Sequence, residues 1–395
     1  MTTEEQAPPE LAAAASALLA SSLGGGVRLD AGRPLSGRDH VFRFALREGP
    51  AGAPASVIVK CPRPHDGAAF NPDDAEGAAP LLFDDWAALQ FLSAAAADAP
   101  VAPRYLAGER ASGLLVIEDL GAGESIDAFL LGADAPEAEQ ALVELARTLG
   151  RMHARTAGRQ DEYNRLRDAL GPRSAHSRGG DTRALGPKFL QSLQTLGVEA
   201  PAGLGADLDA VIAAMTDPGP FLAYTHGDPC PDNCLRVDGR IRLIDFEVGG
   251  FRHALTDGVY GRIHFPTCWC VNRLPGQLPP RMEAVYRSEL AQGCPAAADD
   301  ALFRRGVVEA CAFWGLVTCL GWYDLEKMLE EDRTWGISTQ RQRVLLRAPI
   351  VARLAAEAGY LEALGVAFAA LAERLRALWP PEAAEMPLYP AWRES

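Results

Sequence analysis

The chain holds no dense run of lysine and arginine. Its 38 basic residues stand against 52 acidic ones, for a formal net charge of −14. A nucleic-acid binder shows the opposite balance, with a basic stripe, so no nucleic-acid partner is expected. Nor is there an apolar run long enough to span a bilayer. The stretch to weigh is Ala310 to Tyr323, fourteen residues bracketed by Glu309 and Asp324. A span needs about twenty, so this stretch predicts a buried core helix and no membrane partner. The opening MTTEEQAPPE is acidic and lacks the basic n-region of a signal peptide, which predicts a cytoplasmic protein. The eight cysteines, Cys61, Cys230, Cys234, Cys268, Cys270, Cys294, Cys311 and Cys319, contain no CxxC pair. They are expected to be reduced structural thiols, and Cys268-Trp-Cys270 has the wrong spacing for a common zinc site. No internal repeat is visible.

What is present divides in two. The first 120 residues carry β signals: Val41 to Leu46 alternates, Ser56 to Lys60 is β-branched, and a Gly/Pro-containing turn lies between them. A helix is expected over Pro80 to Ala97, then strands at Tyr105–Ala107 and Leu114–Ile117. From Pro136 onward helices dominate: Glu137–Thr156, Phe189–Leu196, Leu208–Met215, Pro280–Gln292, Asp299–Leu329 and Leu361–Leu378. Two short strands, Cys234–Val237 and Ile241–Ile244, interrupt them around Asp238-Gly239, a strong hairpin signal. The expected fold class is α+β and bilobal, a small antiparallel β-sheet lobe followed by a larger, mainly helical lobe. The expected segments are a helical extension at 1–26, the sheet lobe at 27–117, a hinge at 118–121, the helical lobe at 122–378 and a Pro-rich tail at 379–395.

The chemistry concentrates in one stretch. His226-Gly227-Asp228 is followed five residues on by Asn233, and twelve further on by Asp245 after the hairpin. Taken singly, Asp228 is a turn residue and Asp245 ends a strand. Together they supply what phosphoryl transfer asks for: a carboxylate beside the attacking hydroxyl, and an amide oxygen with a second carboxylate for metal ions that bridge the phosphates. Hard oxygen ligands suit Mg2+.

This HGDxxxxN loop with its following Ile-Asp resembles the catalytic core of the aminoglycoside phosphotransferase and choline kinase-like family, whose fold is protein-kinase-like. The resemblance runs from about residue 27 to about 265. It implies that Asp228 is the catalytic base, that Asn233 and Asp245 are Mg2+ ligands, and that Asp257 is structural. It further implies that Lys60, closing Val57-Ile58-Val59-Lys60, reaches the phosphates of ATP and pairs with a helix acid. That acid is Asp85, before Trp86-Ala87-Ala88-Leu89, where the family carries a Glu. The phosphate loop would be Leu35 to Val41, with Ser36 and Gly37 near phosphate oxygens, and backbone near Val116, Ile117 and Glu118 would meet adenine. His226 and His153 are expected to order the structure rather than to catalyse.

The implied activity is transfer of the γ-phosphate of ATP to a hydroxyl of a small molecule: an aminoglycoside, another amino sugar, a choline-like alcohol or a related compound, cationic acceptors included. Two alternatives stand beside it. A pseudokinase or ligand-binding regulator would keep the fold without turnover, and the Asp85 replacement leaves that open. A protein kinase is disfavoured by the missing HRD, by Ile-Asp-Phe-Glu in place of DFG, and by the lack of an APE-like segment. Trp314, Trp322, Tyr323 and Trp335 are read as core aromatics or as lining for the acceptor.

Overall fold

Alternation along Ser56–Lys60 sends Val57 and Val59 to one face of a sheet and Ile58 and Lys60 to the other, and the first compact unit is built on that division. The structure is a computed structural model that describes residues 7–35, 38–62, 69–173, 182–381 and 385–393. The chain forms two compact units.

The first unit comprises residues 1–123, 161–177 and 242–249. Its strands are β1 (Arg28–Leu29), β2 (Arg33–Leu35), β3 (Arg38–Glu48), β4 (Ser56–Lys60), β5 (Tyr105–Glu109) and β6 (Leu114–Glu118). They pair antiparallel in the order β1-β3-β4-β6-β5, with β2 on β3. Register places Val59 opposite Phe42 and Val116. Phe44, Val57, Val59 and Val116 share a buried cluster with Leu11, Ala15 and Leu19 of helix α1 (Pro9–Leu23). The N-terminal helix, set apart by its sequence as an extension, is therefore a cover for one sheet face. Burying each large apolar side chain of this kind contributes about 1.5–3 kcal/mol. On the side of Lys60 lies helix α2 (Ala79–Ala95), whose Trp86 stacks on Tyr105. The helix Gln160–Leu170 also belongs here, its buried Arg167 bonded to Asp84 at 2.5 Å.

The second unit, residues 124–160, 178–241 and 250–395, is mainly helical. It contains Ala135–Thr156, Leu185–Leu196, Leu204–Thr216, Leu278–Leu290, Asp300–Gly315, Gln340–Ala358 and Glu362–Leu378. Two elements depart from expectation. The long helix expected over Asp299–Leu329 widens into a π-helical turn at Leu316–Gly321, then restarts at Leu325 under an Asp324 cap. Gln340–Ala358 was not expected at all. It begins on a Thr339/Gln342 capping box and carries Pro349 in its interior, a residue that ordinarily breaks a helix. The apolar run Ala310–Leu320 is buried except for half-buried Phe313. No described helix is long and apolar enough to cross a membrane. The C-terminal segment is tied down too: Arg273 N–H donates to Pro387 O, and Tyr389 N–H to Arg273 O.

Candidate active site

In the first unit, Lys60 leaves the end of β4 on the face opposite Val59. Its Nζ lies 2.5 Å from Asp85 Oδ2, with the two side chains 14% and 4% exposed. An aspartate, one methylene shorter than the glutamate of the resembled family, thus still reaches the lysine. The other oxygen, Asp85 Oδ1, accepts from the backbone N–H of Phe246 at 2.9 Å. One carboxylate therefore ties the lysine strand to the segment that carries Asp245. Asp245 has φ of +70°, a left-handed conformation that costs a non-glycine residue energy and is retained where the surroundings impose it.

Val116 and Ile117 lie in β6, the strand flanked by both β4 and β5. The Glu118 N–H donates to Arg104 O, and its carboxylate takes the Arg104 backbone and guanidinium. The sheet ladder thus engages much of the backbone expected to face adenine. The turn that follows is held by Asp119, which accepts from Ser56, Gly121 N–H and Arg43. Ser36 and Gly37 lie outside the described residues.

In the second unit, the His226-Gly227-Asp228 turn is built on Asp257. Its Oδ2 accepts from His226 N–H at 2.7 Å and its Oδ1 from Gly227 N–H at 3.2 Å. Asp257 is 1% exposed, and His153 Nε2 stands 3.4 Å away with its Nδ1 2.8 Å from Tyr286 Oη. Gly227 has φ of +81°, open to glycine at no steric cost. His226 Nδ1 accepts from Asp228 N–H at 3.3 Å. Both histidines thus serve the order of the loop. Asn233 is buried and donates through Nδ2 to Asp228 O at 3.1 Å, leaving its amide oxygen as the end a metal would meet.

The Asp228 carboxylate is half-buried and has a close neighbour without a motif. Thr267 Oγ1 donates to Asp228 Oδ1 at 2.5 Å, and Tyr260 Oη is 3.0 Å from the same threonine oxygen. Burial, with Asp228 and Asp257 nearby, holds the Tyr260 hydroxyl well above its usual pKa, so it stays protonated. Cys230 Sγ also lies 3.0 Å from Asp228 Oδ1. Cys230 and Cys268 are joined as a disulfide, which corrects the expectation that every cysteine is a reduced thiol. Distant spacing, 38 residues, gave no framework from which to read the pair.

The segment 263–269 that carries Thr267 is clamped from behind. His264 and Phe265 both have positive φ, +54° and +49°. Arg347 donates to Ile263 O and Phe265 O; Arg343 donates to Cys268 O, Trp269 O and Trp335 O. Both arginines are fully buried. Gly336 has no room for a side chain, since a Cβ would stand 2.0 Å from Trp269 O. Of the aromatics weighed from sequence, Trp314 is core, with Nε1 donating to Thr256 O at 2.8 Å, whereas Trp322 and Trp335 are exposed and Tyr323 is half-buried.

Among the described residues no group of three or more His, Cys, Asp and Glu could hold a metal by itself. A single amide oxygen and a single carboxylate suit Mg2+, which keeps waters and takes phosphate oxygens as further ligands.

A sheet lysine held by a helix carboxylate, together with an HGD loop seated on a buried aspartate, defines a kinase-like phosphotransferase. The family profile described as the phosphotransferase enzyme family (APH) matches residues 70–284, more than half of the chain, and the chain belongs to that family. No curated protein matches the sequence. Among solved structures, the chain resembles a Ralstonia eutropha protein provisionally classed as an aminoglycoside phosphotransferase. The pair shares 12% identity at a TM-score of 0.47, covering 90% of this chain and 98% of that one. It also resembles a choline/ethanolamine kinase family protein from Mesorhizobium loti (17%, TM-score 0.39, covering 92% and 99%). A third is a macrolide 2′-phosphotransferase from Brachybacterium faecium (17%, TM-score 0.40, covering 80% and 99%).

Proposed function

We propose that the chain transfers the γ-phosphate of ATP to a hydroxyl group of a small molecule, with Asp228 as the base. The observation that supports this most is the setting of the Asp228 carboxylate: its loop rests on Asp257 and its Oδ1 is fixed by Thr267. A carboxylate held so firmly, at little reorganisation cost, is suited to orient an attacking hydroxyl and take its proton. Lys60, set by Asp85, would hold phosphate oxygens. The adenine would meet backbone near Val116 to Glu118, where β6 leads into the hinge. Asn233 and Asp245 would hold Mg2+, which when bound neutralises charge on the phosphates.

An acceptor of net positive charge agrees with the acidic chain, and amino sugars and choline-like alcohols are the classes to test. The experiment measures ADP release against a panel of hydroxylated acceptors, with thermal unfolding in Mg2+-ATP alongside. Asp228→Asn is expected to abolish turnover while keeping the nucleotide-dependent rise in Tm. Asp245→Ala is expected to lose that rise. Turnover surviving in Asp228→Asn would remove the base assignment.

A further inference from the structure

Asp228 and Thr267 sit on separate segments, 39 residues apart, yet meet through one short hydrogen bond. Each is a near neighbour of a sulfur: Cys230 is two residues after Asp228, and Cys268 directly follows Thr267. The disulfide between them has a Cα–Cα distance of 5.4 Å, within the ordinary range for such a bridge. Cys230 Sγ is 3.2 Å from Thr267 Oγ1 as well as 3.0 Å from Asp228 Oδ1. The bridge therefore lies directly alongside the hydrogen bond that sets the carboxylate.

We infer that Thr267 is the positioning residue of Asp228, and that the Cys230–Cys268 bond makes this positioning depend on the redox state of the two sulfurs. This rests on the reading of Asp228 as the base. Bonded sulfurs stand about 2.05 Å apart, whereas two thiol sulfurs in contact need roughly 3.5 Å or more. Reduction therefore moves the two sulfurs apart by roughly 1.4 Å or more. Both sulfurs are buried, with residue exposures of 4% and 1%, and Arg343 holds the Cys268 carbonyl from the other side, so this displacement falls on the Asp228–Thr267 contact. A misplacement of about 1 Å in a reacting constellation can cost about a hundredfold in rate. The chemistry balances with a dithiol: the protein disulfide takes two electrons and two protons to become two thiols, and the dithiol leaves as its cyclic disulfide. Hydrogen peroxide reverses it, oxidising the two thiols to the disulfide and leaving two waters.

The test uses the full chain, purified without reductant, then treated with dithiothreitol and afterwards with hydrogen peroxide. Thiols titrated in denaturant should number six before reduction, since Cys61, Cys234, Cys270, Cys294, Cys311 and Cys319 are free, and eight after it. Reduction should lower kcat by about tenfold or more while leaving the nucleotide KM within about twofold, and reoxidation should restore it. Thr267→Ala should show the low kcat in both states, and Thr267→Ser, which keeps the hydroxyl, should regain both the rate and the redox response. Eight thiols before reduction, equal kcat in the two states, or a redox response persisting in Thr267→Ala would each overturn the proposal. Should Thr267→Ala fail to fold, the wild-type redox cycle and Thr267→Ser still decide it. Asp228→Asn separates the two levels. Turnover in that variant removes the base reading itself, whereas a dead Asp228→Asn with a redox-indifferent wild type removes only this inference.

Discussion

The Asp257 carboxylate lies under the His226-Gly227 turn, with Oδ2 2.7 Å from the His226 backbone N–H, 31 residues distant in the chain. Its two oxygens take both N–H groups of a turn that has no strand or helix to satisfy them.

Asp257→Ala strips the acceptor from two backbone donors at once. A buried donor left without a partner costs about 1–3 kcal/mol, so unfolding in urea should show a loss of about 2–5 kcal/mol. Turnover should fall further than stability alone explains, measured at a temperature where the variant is fully folded. A loss below about 1 kcal/mol would mean that water replaces the carboxylate.

Asp85 separates two effects that one alanine would merge. Asp85→Asn keeps an oxygen for the Phe246 N–H but loses the charge that faces Lys60. It should weaken the Mg2+-ATP-dependent rise in Tm and lower the unliganded Tm, though by less than the alanine variant, since the Phe246 contact is kept. Asp85→Ala loses both contacts and should also destabilise the unliganded protein, by about 3 kcal/mol, as expected on breaking a largely buried pair. Equal nucleotide response in wild type and Asp85→Asn would argue against a phosphate role for Lys60.

Two buried histidines predict acid sensitivity. Burial, reinforced by Arg347 and Arg273, lowers the His264 pKa to about 3, and burial with His153 nearby lowers that of His253 to about 4. Each ring accepts at Nδ1, from Leu274 N–H and Leu255 N–H respectively, and so is held neutral. Above the unfolded value of about 6.5 neither state binds the proton and the full stability is present. As pH falls below that, only the unfolded chain protonates, until the folded values are reached. Between about pH 7.5 and 5 each ring should cost about 2 kcal/mol. His253→Asn should reduce the slope of unfolding free energy against pH by about 0.8 kcal/mol per unit averaged over this window; an unchanged slope would show that the ring protonates in the fold.

Arg343 presents a planar fork to three carbonyls, and burial lowers its pKa to about 10, which still leaves it charged at neutral pH. Arg343→Lys keeps the charge but not the fork. It should lower stability by about 2 kcal/mol and reduce kcat more than the nucleotide KM. Wild-type kcat in this variant would free the 263–269 segment from any bearing on turnover.

The sheet-bearing unit was readable because its signals are local: a β-branched run, a lysine at its end and an acid on the next helix. The HGD loop and hairpin were readable for the same reason, and Asp238 and Gly239 do take the positive φ values, +50° and +75°, that such a turn requires. Thr267 was not readable, since one hydroxyl meeting a carboxylate across 39 residues leaves no spacing to detect. The helix Gln340–Ala358 hid for a different reason. Its inward face includes Arg341, Arg343 and Arg347, which read as a solvent face, and Pro349 interrupts the pattern. Charged residues spent on carbonyls rather than on water invert the usual rule for amphipathic helices.

That inversion bears on where the protein can be cut. The stretch matched by the family profile ends at residue 284, and it contains the whole HGD loop, Asp245, Asp257, Thr267 and the disulfide. A fragment stopping there would keep the signature but lose the two guanidinium groups that tether the carbonyls behind Thr267. Added back as a separate chain, the 285–395 portion would act as the missing part of the scaffold. Recovery of turnover on mixing would then report non-covalent assembly of the loop rather than any chemistry of its own.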